Sequence, residues 1–178
     1  SQIELRIAAM LSGDEKLVEI FKSGGDVHSA VASQVFGVPA DKVDKEMRRK
    51  AKVINFGILY GMGINALKAQ LGTSREEAQT FYNEYFKNFT TLASYLENVK
   101  ASAERLGYTE TFFGRRRYFE GIKSSIPFIK ASAERMAINA PIQGTSADII
   151  KIAMARIVDK FKKEGWDKSA FLLLQVHD

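Results

Sequence analysis

Residues 48–61, R-R-K-A-K-V-I-N-F-G-I-L-Y-G, constrain this chain more than any other stretch. On a helix turning about 100° per residue, Arg48, Lys52, Phe56 and Tyr60 stand four apart and form one slowly winding stripe. At about 1.5 Å per residue the stripe is roughly 18 Å long, the reach of a nucleoside triphosphate. Two cations come first, where phosphates would lie; two aromatic faces follow, where sugar and base would lie. Met47, Ala51, Ile54 and Ile58 fall on the opposite side and supply the apolar stripe that docks the helix. Gly57 costs about 1 kcal/mol against Ala inside a helix, which points to close approach of a neighbour. On spacing alone the plainer reading also stands: an amphipathic helix with solvated cations and core aromatics.

Composition narrows the classes. The 178 residues carry 26 Lys plus Arg against 21 Asp plus Glu, an excess that permits a polyanionic partner without demanding one. The absence of cysteine excludes disulfides and thiolate metal sites. No apolar run approaches the roughly twenty residues of a membrane helix, so no membrane association is expected, and a cytoplasmic, nucleoid-associated location is the default.

Local signals divide the chain mainly into helices. Residues 1–14 read as the end of a strand turning into a helix. Asp14 and Asp26 are placed to cap the next two helices, and Val38-Pro39-Ala40-Asp41 breaks the second before the central one. Ser74 and Glu77 have capping-box spacing ahead of an aromatic-rich helix, and a further helix from about Thr91 stops at Gly107. Residues 108–119 suggest a β-hairpin whose exposed arginines could grip phosphate. From Ile129 a helical pattern resumes, is interrupted at Pro141, and continues from Thr145 to about Glu164. Arg135, Asn139 and Gln143 share one face of it, either as partners at a kink or as a reach into a nucleic-acid groove. Residues 170–176 are apolar except for Gln175 and read as a buried strand.

Arg48, Lys52, Phe56, Tyr60 and Gly61 match, position by position, motif B (the O helix) of the family A DNA polymerases, which this segment resembles. S-Q-I-E-L-R at residues 1–6 resembles motif A, whose metal-binding Asp would lie two residues before Ser1, and Q-V-H-D at 175–178 resembles motif C. The resemblance covers the whole chain and implies a fragment of a larger polymerase. The implied fold is mostly α with a small β component: fingers helices plus part of a palm sheet. It divides as a palm segment at 1–25, a fingers subdomain at 26–130 containing the O helix at 44–61, and a palm segment at 131–178.

The implied chemistry is template-directed transfer of a dNTP to a primer 3′-hydroxyl, with two Mg²⁺ clamping the attacking and leaving oxygens. Asp178 is the implied metal ligand. Lys52 and Arg48 would neutralise the triphosphate, with His28 beside it. Gln2, Glu4, Phe56 and Tyr60 would form the nucleotide pocket, with Glu4 as a gate against a ribose 2′-hydroxyl. Glu4 and Phe56 argue against the related single-subunit RNA polymerases, which lack a Glu at the gate and carry Tyr at the aromatic position. Arg135, Asn139, Gln143 and His177 would contact primer-template DNA. The intact enzyme is expected to be a monomer. The isolated chain is expected to lack catalysis, and the alternative is a fragment that only binds nucleotide and DNA.

Overall fold

The structure is a computed structural model and describes residues 2–176; Ser1, His177 and Asp178 lie outside the described residues. The order is α1 (Gln2–Ser12), α2 (Glu15–Lys22), α3 (Val27–Phe36), a 3-10 turn (Ala40–Lys42), α4 (Lys45–Leu59), α5 (Ile64–Leu71), α6 (Arg75–Asn88) and α7 (Thr90–Leu106). Then come β1 (Tyr108–Glu110), β2 (Arg116–Tyr118), a second 3-10 turn (Glu120–Lys123) and α8 (Pro127–Lys163). This is the mostly helical fold with a small β component that the sequence implies.

Caps set most of these boundaries. Asp26 accepts from the Ser29 N–H at the start of α3, Asp44 from the Met47 N–H at the start of α4, and Ser74 and Glu77 form a reciprocal capping box on α6. Gly37, Gly72 and Gly107 end α3, α5 and α7 in the left-handed conformation. One core joins the first seven helices to α8, with Leu5, Leu17, Val31, Ile54, Leu59, Tyr85, Phe89 and Ile142 all buried. A smaller cluster of Ala103, Phe119, Ile122 and Ala133 fixes the hairpin end of α7 to α8.

Asp14 ties distant parts together. It is 3 % exposed; Oδ1 accepts from the Leu17 N–H at 3.1 Å and Oδ2 from the Leu92 N–H at 3.1 Å. One carboxylate therefore caps α2 and the first turn of α7, which has no side-chain cap of its own. Asp14→Ala would orphan two buried donors. It is expected to cost about 2–4 kcal/mol of stability, read as a fall in the urea midpoint at unchanged slope.

Four expectations change. Residues 2–12 form a helix from Gln2 onward, because Leu5, Ala8 and Ala9 pack inward at helical spacing. Helix α5 was not expected; Ile64, Leu67 and Leu71 carry its short inner face between two glycine caps. The long helix runs unbroken from Pro127 to Lys163 with Pro141 inside it. Proline removes one hydrogen bond and costs about 3 kcal/mol, but Pro141 and its neighbours Ala140 and Ile142 are buried, and that packing carries the helix through. Residues 170–176 form no strand and are exposed. A strand needs a neighbour for its backbone N–H and C=O groups, and the two strands among the described residues pair with each other.

The hairpin has register Tyr108↔Tyr118, Thr109↔Arg117, Glu110↔Arg116. Its arginines are mostly committed. Arg115 pairs with Asp148 on α8 at 2.8 Å and reaches the Gly144 carbonyl at 3.1 Å; Arg116 pairs with Glu110 at 2.6 Å and lies over the Tyr108 ring. Arg117 meets the Met136 sulfur and the Phe119 ring and no carboxylate among the described residues. The expected phosphate grip is thus narrowed to one arginine.

Candidate nucleotide-binding site

Helix α4 presents its two stripes as the spacing requires. Ala51, Ile54 and Ile58 are buried and Met47 is half-buried, while Arg48 and Lys52 are exposed and Tyr60 is 37 % exposed. Phe56 and Tyr60 stack, with ring centroids 6.2 Å apart and planes 20° apart, so the aromatic end of the stripe is continuous. Gly57 admits its neighbours: a Cβ there would lie 3.2 Å from the Met62 sulfur and 3.5 Å from Leu67 Cδ1. Gly61 turns the chain out of α4 at φ +65° against α8, where a Cβ would stand 3.1–3.3 Å from Arg135, its Cα included. That contact sets the end of the stripe beside the polar face of α8.

Helix α1 closes the aromatic end. The Tyr60 hydroxyl donates to Glu4 Oε2 at 2.7 Å, and Glu4 is only 6 % exposed. Gln2 lies exposed on the same helix.

Helix α3 closes the cationic end. Arg48 donates from Nε and Nη2 to the two oxygens of Asp26, both at 2.9 Å. This fork holds the Asp26 carboxyl well below the usual carboxylate range, with the Ser29 cap helping and burial opposing. His28 is 5 % exposed; its ring lies 5.8 Å from that of Phe56, and its Nδ1 is in hydrogen-bond contact with Asn55 Nδ2 at 3.2 Å. Burial pushes the His28 pKa down; Arg48 and Lys52 push the same way, and Asp26 pushes it up.

The unfolded chain therefore protonates His28 at about pH 6.5 while the folded chain resists. Stability should fall as pH drops below about 6.5, until the depressed folded value is passed. The Asp26 contribution is then lost as pH falls below its ordinary value of 3.8. Urea midpoints from pH 8 to 5, compared with those of His28→Gln, check the first step: the variant's profile should be flatter.

On α8, Arg135 and Gln143 are exposed and Asn139 is half-buried, with its Oδ1 enclosed and unpartnered among the described residues. Gln143 lines a cleft of about 200 Å³ between α8 and the hairpin, together with Thr109 and Arg117. The structure thus brings Arg48, Lys52, Phe56, Tyr60, Glu4 and His28 around α4 and sets Arg135 at its exit. His177 and Asp178 lie outside the described residues. No three of His, Asp and Glu among the described residues are grouped to hold a metal ion, and the Glu4 carboxylate is engaged with Tyr60. These residues alone do not compose an Mg²⁺ cage.

Two participants were not visible as such in the sequence. Asp26 was legible only as a helix cap, since nothing local links it to an arginine 22 residues on. Asn55 sits inside the motif but between the stripes, and its burial at 0 % was the missing signal.

A model of DNA polymerase family A matches residues 1–178. The chain belongs to DNA polymerase family A. It is 47 % identical to "DNA polymerase I, thermostable" of Thermus aquaticus and 49 % identical to DNA polymerase I of Mycobacterium bovis, each over the whole of this chain. It covers 21 % and 20 % of those relatives, so it spans about a fifth of their length. Among solved structures it resembles the POL domain of Pol1 from M. smegmatis in complex with DNA primer-template and dNTP. The TM-score there is 0.89 at 46 % identity, over 93 % of this chain and 29 % of that one. No described helix is long and apolar enough to cross a membrane.

Proposed function

We propose that this chain is the nucleotide-selecting part of a DNA-directed DNA polymerase, adding dNTPs to a primer 3′-hydroxyl as a template directs. One observation carries the reading: the Tyr60–Glu4 hydrogen bond closes the sugar end of a stripe whose other end is cationic. Family membership and the primer-template and dNTP bound by the solved relative support it.

In this reading Lys52 and Arg48 meet the triphosphate and stabilise the charge that grows on its oxygens during transfer. Neutral His28 lies at the same end. Phe56 covers the sugar and Tyr60 the base. Glu4, with Gln2 beside it on α1, occupies the place of a 2′-hydroxyl. Arg135 and Gln143 face the minor groove near the primer end, with His177 steadying that end and Asn139 on the template side; donors there read acceptors that every base pair presents. The subdomain division at 1–25, 26–130 and 131–178 belongs to the same reading. Mg²⁺ would supply Lewis-acid activation and charge neutralisation, with Asp178 as the implied ligand. Monomeric behaviour and a nucleoid location are likewise part of the proposal.

Exchange of residues 1–178 into the Thermus aquaticus relative tests it. The chimera should extend a primer with the templated nucleotide. A folded chimera that binds primer-template and dNTP without extending would replace this reading with the binding-only one.

A further inference from the structure

The Arg48–Asp26 pair differs from an ordinary surface contact in how firmly its acidic half is held. Asp26 Oδ2 accepts from the Ser29 N–H at 2.8 Å, the Ser29 hydroxyl at 2.7 Å and Arg48 Nε at 2.9 Å, while Oδ1 accepts from Arg48 Nη2 at 2.9 Å. A carboxylate offers about four lone-pair positions, so this one is nearly saturated. Two of its bonds close the N-terminus of α3, so swinging Asp26 away would also undo that cap. The guanidinium is a rigid planar fork with two usable edges. Asp26 takes the Nε–Nη2 edge, and Nη1 has no acceptor among the described residues. The pair stays accessible, with side chains 47 % and 33 % exposed, and Lys52 one turn on makes no ion pair among the described residues.

We propose that Asp26 is a positioning residue that sets polyphosphate specificity: it grips Arg48 by one edge of the guanidinium so that the opposite edge meets the terminal phosphate of a deoxynucleoside triphosphate. This rests on the nucleotide site proposed above. Asp26 cancels one of the stripe's two formal positive charges, so the stripe attracts polyanions in general less. What it keeps is a directed contact, which rewards a terminal phosphate delivered at the right place by a base and sugar seated on Phe56 and Tyr60. Geometry then discriminates where bare charge would not.

Competition against a fluorescent dNTP on the 178-residue chain gives affinities for dTTP, dTDP and inorganic tripolyphosphate. Asp26→Asn and Asp26→Ser both leave a good N-cap on α3 while removing the carboxylate. Both should weaken dTTP about tenfold and bring dTTP to within about twofold of dTDP. Tripolyphosphate should bind as well as to the parent or more tightly. A dTTP preference that survives in both folded variants, or dTTP tightening in step with tripolyphosphate, overturns the proposal. Lys52→Ala in the same assay separates this from the site itself. If it weakens dTTP while the Asp26 variants keep their preference, Asp26 loses its role and the site stands. If the parent binds no dTTP, or binds it regardless of Lys52, the site falls and this inference with it.

Discussion

Glu4→Ala should raise ribonucleotide incorporation by about 10²-fold relative to deoxynucleotide, a loss of about 2.7 kcal/mol of discrimination. The reason is how firmly the carboxylate is held. It is 6 % exposed on the inner face of α1 and receives the Tyr60 hydroxyl at 2.7 Å, so it cannot swing aside for an extra oxygen. In the proposed site a carboxylate oxygen held where a 2′-hydroxyl would sit excludes it by contact, and little binding energy is spent on the correct substrate. Truncation to alanine removes the obstruction and deprives Tyr60 of this acceptor. Tyr60→Phe keeps the obstruction but releases it, so a smaller loss of about tenfold is expected. Single-nucleotide incorporation by the chimera, comparing kcat/KM for dNTP and rNTP opposite the same template base, gives both numbers. An unchanged ratio in both variants would remove Glu4 from the site.

What the sequence made legible follows the range of the interactions. Caps at Asp14, Asp26 and Ser74 are contacts within three residues, and each stands where spacing put it. The α4 stripe was legible for the same reason, since a helix converts spacing into a face. The second bond of Asp14, to Leu92, and the fork from Arg48 to Asp26 join residues 78 and 22 apart, and no periodicity encodes them. Pro141 was misread because its cost is local while the burial that offsets it is tertiary. Residues 170–176 were misread in the opposite sense: their composition suits a strand, but pairing depends on a neighbour that composition does not supply.

Lys52→Ala should lower kcat/KM for dNTP incorporation by about 10³-fold, or about 4 kcal/mol, with little change in folding stability. Stability and activity separate here because of where the side chain lies. Lys52 is exposed, on the face of α4 opposite Ala51, Ile54 and Ile58, and makes no ion pair among the described residues. Its removal therefore leaves no cavity and no orphaned partner, so stability should move by less than about 0.5 kcal/mol. In the proposed reaction it is the stripe's one cation without a counter-charge among the described residues, and a fixed cation is worth most where charge develops. Arg48→Ala makes the contrast, because it also breaks the fork to Asp26 and leaves that carboxylate without its strongest partner. It should lower both activity and the urea midpoint. Lys52→Arg retains the charge but replaces a compact ammonium by a planar fork, so partial recovery is expected. Steady-state incorporation and urea unfolding of the same chimera variants decide the matter. A Lys52→Ala protein that loses less than about tenfold in kcat/KM, or that loses stability in proportion, would make Lys52 an ordinary surface cation and take the phosphate end of the stripe with it.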